Sequence, residues 1–331
     1  MKTFLSKVKR PLVIVGSLSP QDRGPVQNFL ARLQVPIYAE APSGLRESPL
    51  LKNYLIHSSE NILHDGHFDG VIRMGGVPTL RFWRDLEKKY INWPVLNLNS
   101  LPFSGLSRGV IEPINLSCLN EMDVEANKED WKSFFDLDQK KYREVLNLLE
   151  EEKQSEASMI HQLSSLLPKK SRVYLGNSLP IREWDLAATR ECREFEIGVS
   201  RGVNGIDGQL STFYGWASPG QENWAILGDL TTLYDLAAPW ILPQLPQIST
   251  HVVVINNKGG QFFSRLFESK LFLNEHQISF KDWARMWSFE YECWDAIPDK
   301  LAKKNGHQII ELLPDPEASQ RFWKSYEAMW I

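Results

Sequence analysis

Leu227-Gly228-Asp229-Leu230-Thr231-Thr232 and, about two dozen residues on, Val254-Ile255-Asn256-Asn257-Lys258-Gly259-Gly260 are the stretches whose reading decides the fold. Each starts as the end of an apolar run and breaks into Gly, Asp or Asn. The runs are nearly continuous rather than alternating, as in parallel strands covered on both faces. Gly228-Asp229 and Asn256-Asn257 therefore fall at the carboxyl edge of a parallel sheet, where open α/β folds bind ligands. An Asp carboxylate, an Asn amide oxygen and a backbone carbonyl make a hard oxygen site suited to Mg²⁺. Leu230-Thr231-Thr232 opens a helix whose free N–H groups can receive phosphate. Taken alone, each stretch also fits an ordinary strand end, with Asp229 as an N-cap and Asn256-Asn257-Lys258-Gly259 as a turn.

Outward from these two, similar apolar runs occur at 12–15, 35–39, 70–74, 95–98, 173–175 and 309–313, with helical stretches between them. Alternating strands and helices imply α/β layers with right-handed crossovers. The 331 residues favour two domains. Tyr142, Val145, Leu146 and Leu149 make one helical stripe; Met159, Ile160, Leu163, Leu166 and Leu167 make a second, ended by Pro168. The charged run Glu150-Glu151-Glu152-Lys153 between them reads as a solvated joint. The expectation is two Rossmann-like three-layer domains with mainly parallel sheets, 1–155 and 156–331. The first strand ends Val15-Gly16-Ser17-Leu18-Ser19, without the GxGxxG of a dinucleotide site.

Composition narrows the function classes. Hydrophobic residues make up 43% and charged residues 24%, the profile of a folded globular protein. A formal net charge of -4 argues against a nucleic-acid binder. Cys118, Cys192 and Cys293 are far apart and show no CxxC spacing, which fits a reducing compartment. No apolar run approaches the roughly 18 residues of a membrane helix, and the short run after Arg10 is no secretory signal. A cytoplasmic protein without membrane or nucleic-acid partners is expected. The cluster His64-Asp65-Gly66-His67-Phe68-Asp69 lacks the further ligands of a zinc site and reads as a loop.

The Gly-Asp and Asn-Asn pair, so spaced, resembles the signature of thiamine diphosphate enzymes, except that Leu230 stands where a glycine usually follows the Asp. Further segments narrow the match: Gly176-Asn177-Ser178-Leu179-Pro180-Ile181-Arg182, the stretch 200–208 from Ser200-Arg201 to Gly208, Leu233-Tyr234-Asp235-Leu236, and Gln261-Phe262-Phe263 after Gly260. In this order they resemble the C-terminal half of the menaquinone-biosynthesis family of 2-succinyl-5-enolpyruvyl-6-hydroxy-3-cyclohexene-1-carboxylate synthases, in which Gly-Asp-Leu is normal.

That resemblance implies a thiamine diphosphate-binding fold in the C-terminal domain and a transferase reaction. In that reaction 2-oxoglutarate is decarboxylated and its remainder added to isochorismate. It implies that Asp229, Asn257 and the Gly259 carbonyl hold Mg²⁺ or Mn²⁺, with Gly228, Leu230 and Thr231 beside the cofactor diphosphate. Ile206 would lie beneath the bent cofactor and Phe263 would wall the pocket. Ser178, Arg182 and Arg201 would grip substrate carboxylates, for which the Arg fork is suited. In the N-terminal half, Arg10-Pro11-Leu12 and Arg73-Met74-Gly75-Gly76 match the family's central domain more loosely, and Arg81 falls where relatives carry a substrate-reaching Lys. The resemblance places the cofactor between chains of a homo-oligomer. It also implies a pyrimidine-binding domain, carrying the Glu that activates the cofactor, which these residues are expected to lack. A fragment, a split enzyme with a separate pyrimidine-binding chain, and a non-catalytic cofactor-binding or regulatory chain each fit.

Overall fold

The computed structural model describes residues 1–331 apart from Gly66, Val203, 264–268 and Lys303. Gly66 of the 64–69 cluster and Val203 of the 200–208 stretch thus lie outside the described residues. The chain divides into two compact units, Met1–Val145 with Trp330 and Leu146–Met329 with Ile331. The division falls within the helix Lys132–Glu151, ahead of residue 155, where Ser155 caps a new helix, Glu156–Leu166.

In the first unit β1 (Pro11–Val15), β2 (Ile37–Ala39), β3 (Gly70–Met74), β4 (Val95–Asn99) and β5 (Val110–Pro113) form a five-stranded sheet in the order β2-β1-β3-β4-β5. Every pairing is parallel. Val13 and Val15 pack with Val26, Phe29 and Leu30 of the helix Pro20–Leu33, while Leu12 and Ile14 pack with Phe82, Trp83 and Phe134. Successive side chains of a strand point to opposite faces, so a strand between two helical layers must be apolar at every position.

The second unit repeats the logic with β6 (Arg172–Leu175), β7 (Glu196–Val199), β8 (Asn223–Gly228), β9 (Thr250–Ile255), β10 (Glu290–Trp294) and β11 (His307–Leu312), in the order β10-β11-β9-β8-β6-β7. All are parallel. Tyr174, Ala225, Leu227, Val252, Val254 and Ile309 share one core with Phe213, Phe280 and Trp283. Their neighbours Val173, Leu175, Ile226, Val253 and Ile255 are buried on the opposite face. The two α/β parallel-sheet units are the fold class read from the sequence. Among the described residues no helix is long and apolar enough to cross a membrane.

Candidate functional site

Parallel register gathers the motifs. Leu175 of β6 pairs with Val199 of β7 on one side and Ile226 of β8 on the other, and Gly228 pairs with Ile255 of β9. Asn177-Ser178, Ser200-Arg201, Gly228-Asp229 and Asn256-Asn257 therefore leave the same edge of four adjacent strands. From β6 the chain passes to β7 on one flank, then returns to β8 and β9 on the other. The crevice between β6 and β8 is thus a topological switch point, where side chains of diverging loops leave room for a ligand.

A cavity of about 340 Å³ opens there, and eleven of the twelve residues singled out from the sequence line it: Ser178, Arg182, Arg201, Ile206, Gly228, Asp229, Leu230, Thr231, Asn257, Gly259 and Phe263. The twelfth, Arg81, is exposed at the start of the helix Arg81–Asp85 in the unit Met1–Val145.

Asp229 is only 2% exposed. Its Oδ1 accepts the Leu230 N–H at 2.6 Å and its Oδ2 accepts the Gly259 N–H at 2.9 Å, with His276 Nε2 at 3.1 Å. Burial pushes this carboxyl above its usual range, against the pull of those N–H groups and His276. The Asp229–Gly259 bond ties the end of β8 to the turn after β9. Only glycine suits that turn: Gly259 has φ +140°, and a Cβ there would sit 2.5 Å from the Leu273 carbonyl oxygen.

Asn257 donates from Nδ2 to Glu156 Oε2 at 2.8 Å, while its Oδ1 is buried and has no hydrogen-bond partner in the protein. An unsatisfied buried acceptor costs about 1–3 kcal/mol, so one beside a buried carboxylate and a backbone turn points to a ligand that completes it. One carboxylate, one amide oxygen and a backbone carbonyl suit a hard divalent cation. Among the described residues no group of three or more His, Cys, Asp or Glu side chains is arranged to hold a metal. In the 64–69 cluster His64 Nδ1 meets the Tyr90 hydroxyl at 2.8 Å, and Asp69 accepts the backbone N–H groups of Lys9 and Arg10 at 3.0 and 2.8 Å.

On the opposite wall Ser178 precedes the helix Leu179–Ala187 with φ 76° and ψ -125°, a strained conformation outside glycine. Arg182 Nη1 donates to the Ser178 carbonyl at 2.5 Å, and its guanidinium lies 4.7 Å from the Phe262 ring centre. Arg201 Nη1 donates to Asn177 Oδ1 at 2.7 Å. Asn177 Nδ2 and Gln209 Nε2 each donate to the Gly205 carbonyl at 2.7 Å, which pins the loop that presents Ile206.

Two buried carboxyls, one lining the cavity and one in its wall helix, went unread in the sequence. Glu156, beside the solvated run 150–153, is buried with its pKa pushed up to about 7, chiefly by burial. Glu183 is fully buried within the helix Leu179–Ala187. An acid between Arg182 and Trp184 in an otherwise buried helix was the available signal for the second.

A parallel α/β unit with Gly-Asp and Asn-Asn on adjacent strand ends, facing a cavity at the switch point, is the diphosphate-binding fold of the thiamine diphosphate enzymes. Over its whole length the chain is a homologue of the 2-succinyl-5-enolpyruvyl-6-hydroxy-3-cyclohexene-1-carboxylate synthases. It is 44% identical over 336 residues to that synthase of Bdellovibrio bacteriovorus, covering 100% of this chain and 64% of the relative. With the synthase of Akkermansia muciniphila the identity is 32% over 332 residues, 94% of this chain and 60% of the relative. With that of Chloroflexus aurantiacus it is 28% over 351 residues, 94% of this chain and 58% of the relative. No family model matches the chain. The chain therefore spans about three fifths of the length of these curated relatives.

Proposed function

We propose that the unit Leu146–Met329 binds thiamine diphosphate through Mg²⁺ or Mn²⁺, and that the chain serves the decarboxylation of 2-oxoglutarate and addition to isochorismate in menaquinone biosynthesis. The observation that carries this reading is that Asn257, which lines the switch-point cavity with Asp229, has a buried Oδ1 without a hydrogen-bond partner in the protein. Asp229, Asn257 Oδ1 and the Gly259 carbonyl would hold the cation, with Gly228, Leu230 and Thr231 along the diphosphate. When bound, thiamine diphosphate supplies the carbanion chemistry by which a 2-oxo acid loses carbon dioxide and its acyl carbon reaches an acceptor.

The chain's own residues bind and orient. Arg182 and Arg201 offer fixed donor forks to substrate carboxylates, and the loop carrying Ser178 is held to Arg182. Ile206 and Phe263 give the cavity apolar walls that keep water from the reacting atoms. Arg81 is a candidate for the substrate-reaching cation of the central domain. Cys118, Cys192 and Cys293 are all exposed free thiols, which supports a reducing, cytoplasmic setting. A homo-oligomer follows from the family resemblance, as does a role for a separate pyrimidine-binding chain if the enzyme is split.

Titration calorimetry with thiamine diphosphate and Mg²⁺ tests the reading. Asp229→Ala removes the one charged cation ligand and is expected to abolish metal-dependent cofactor binding. Unchanged binding in that variant would refute the site.

A further inference from the structure

We propose that Glu156 is a positioning residue for the cation site, fixing which end of the Asn257 amide faces the cavity. The inference rests on the cation site proposed above and adds a residue that is not itself a ligand.

The terminal torsion of Asn is broad and roughly two-fold. The oxygen and nitrogen ends of the amide are similar in size but opposite in role. A flipped Asn257 would turn an NH₂ group, useless to a cation, into the pocket. Glu156 Oε2 accepts the Nδ2 N–H at 2.8 Å, and once ionised a carboxylate can only accept. Flipping the amide would set two acceptor oxygens against each other at that distance. The same bond leaves Oδ1 buried and without a partner in the protein, so its lone pairs are kept for a ligand.

Glu156 is itself held firmly. It is the first residue of the helix Glu156–Leu166, where the helix dipole favours a carboxylate. The preceding Ser155 accepts the Ser158 N–H at 3.2 Å, and the Glu156 N–H donates to Ser319 Oγ at 3.0 Å. The neighbouring amide is treated the same way: Asn256 Nδ2 donates to buried Glu311 at 2.6 Å. Each amide of the Asn-Asn pair is thus oriented by its own buried carboxyl group.

The test measures Mn²⁺ binding to the full chain at about pH 8 by electron paramagnetic resonance of the free ion, with inorganic pyrophosphate present, so no turnover is needed. Glu156→Leu is expected to weaken binding about 10–100-fold, the usual effect of losing a group that orients a metal ligand. Glu156→Gln can turn either its oxygen or its NH₂ toward Asn257 and should recover only part of that loss. Asn257→Asp has oxygen at both ends, so orientation ceases to matter, and adding it to Glu156→Leu should restore most of the loss. A merely structural Glu156 would allow no such recovery. If Glu156→Leu does not fold, the Asn257 side-chain amide resonances of the metal-free chain decide. They must shift in Glu156→Gln, and unmoved resonances overturn the proposal. Asp229-dependent binding that is indifferent to Glu156→Leu overturns this inference alone. No Mn²⁺ binding by the parent removes the cation site, and this inference with it.

Discussion

Burial holds a proton on Glu156 up to about pH 7, against 4.5 for the unperturbed side chain. The folded metal-free chain therefore binds more protons than the unfolded chain between those values. Stability should fall as pH rises through that window and level off above it. Urea unfolding at pH 5 and pH 8 checks it: Glu156→Gln, which never ionises, should lose less stability between the two than the parent. An equal loss would place the titrating group elsewhere. The contrast with Asp229 explains which residues the sequence reveals. Asp229 and Asn257 end apolar strands, so local pattern alone puts them at a sheet edge. Glu156 acquires its role from a partner 101 residues away, and its own surroundings in the sequence are those of a solvated surface.

Ser178 carries its strain into the first turn of the helix Leu179–Ala187. A non-glycine residue in such a region costs about 1–3 kcal/mol, partly offset in glycine by the greater freedom of the unfolded chain. Ser178→Gly should therefore stabilise the chain by about 1 kcal/mol, while removing a hydroxyl proposed to grip a substrate carboxylate. A lowered denaturation midpoint would show that the conformation is not strained. Gly259→Ala should act in the opposite sense, because its Cβ meets the Leu273 carbonyl and φ is positive; a melting temperature equal to the parent's would contradict this. Among strands, the eight continuous apolar runs all became strands, and the three unread ones, β5, β7 and β10, are all at sheet edges. An edge strand need not be apolar on both faces, and Val110–Pro113 is largely exposed. β2 is an edge strand too, yet it is buried along its length and its run was read, so the rule finds strands covered on both faces and misses those that are not.

The relatives matched here are longer proteins, and the chain spans 64% of the Bdellovibrio bacteriovorus synthase. General acid–base groups contribute about 10²–10⁴-fold to a reaction, and the resemblance places the activating Glu in a domain outside the matched span. These 331 residues alone should bind cofactor yet consume 2-oxoglutarate negligibly in the presence of isochorismate. Adding the unmatched segment of a relative in trans should raise turnover. Strong turnover by the 331 residues alone would require an activating carboxylate among them. What was legible at this scale was the α/β class and the order of motifs. The Glu156–Asn257 and Asp229–Gly259 bonds span 101 and 30 residues, and loops of that length must close before either bond can form. A chain still being synthesised has no cavity until β9 has docked on β8. Ligand uptake would therefore report that β9 has docked, while β10 and β11 still follow in the chain.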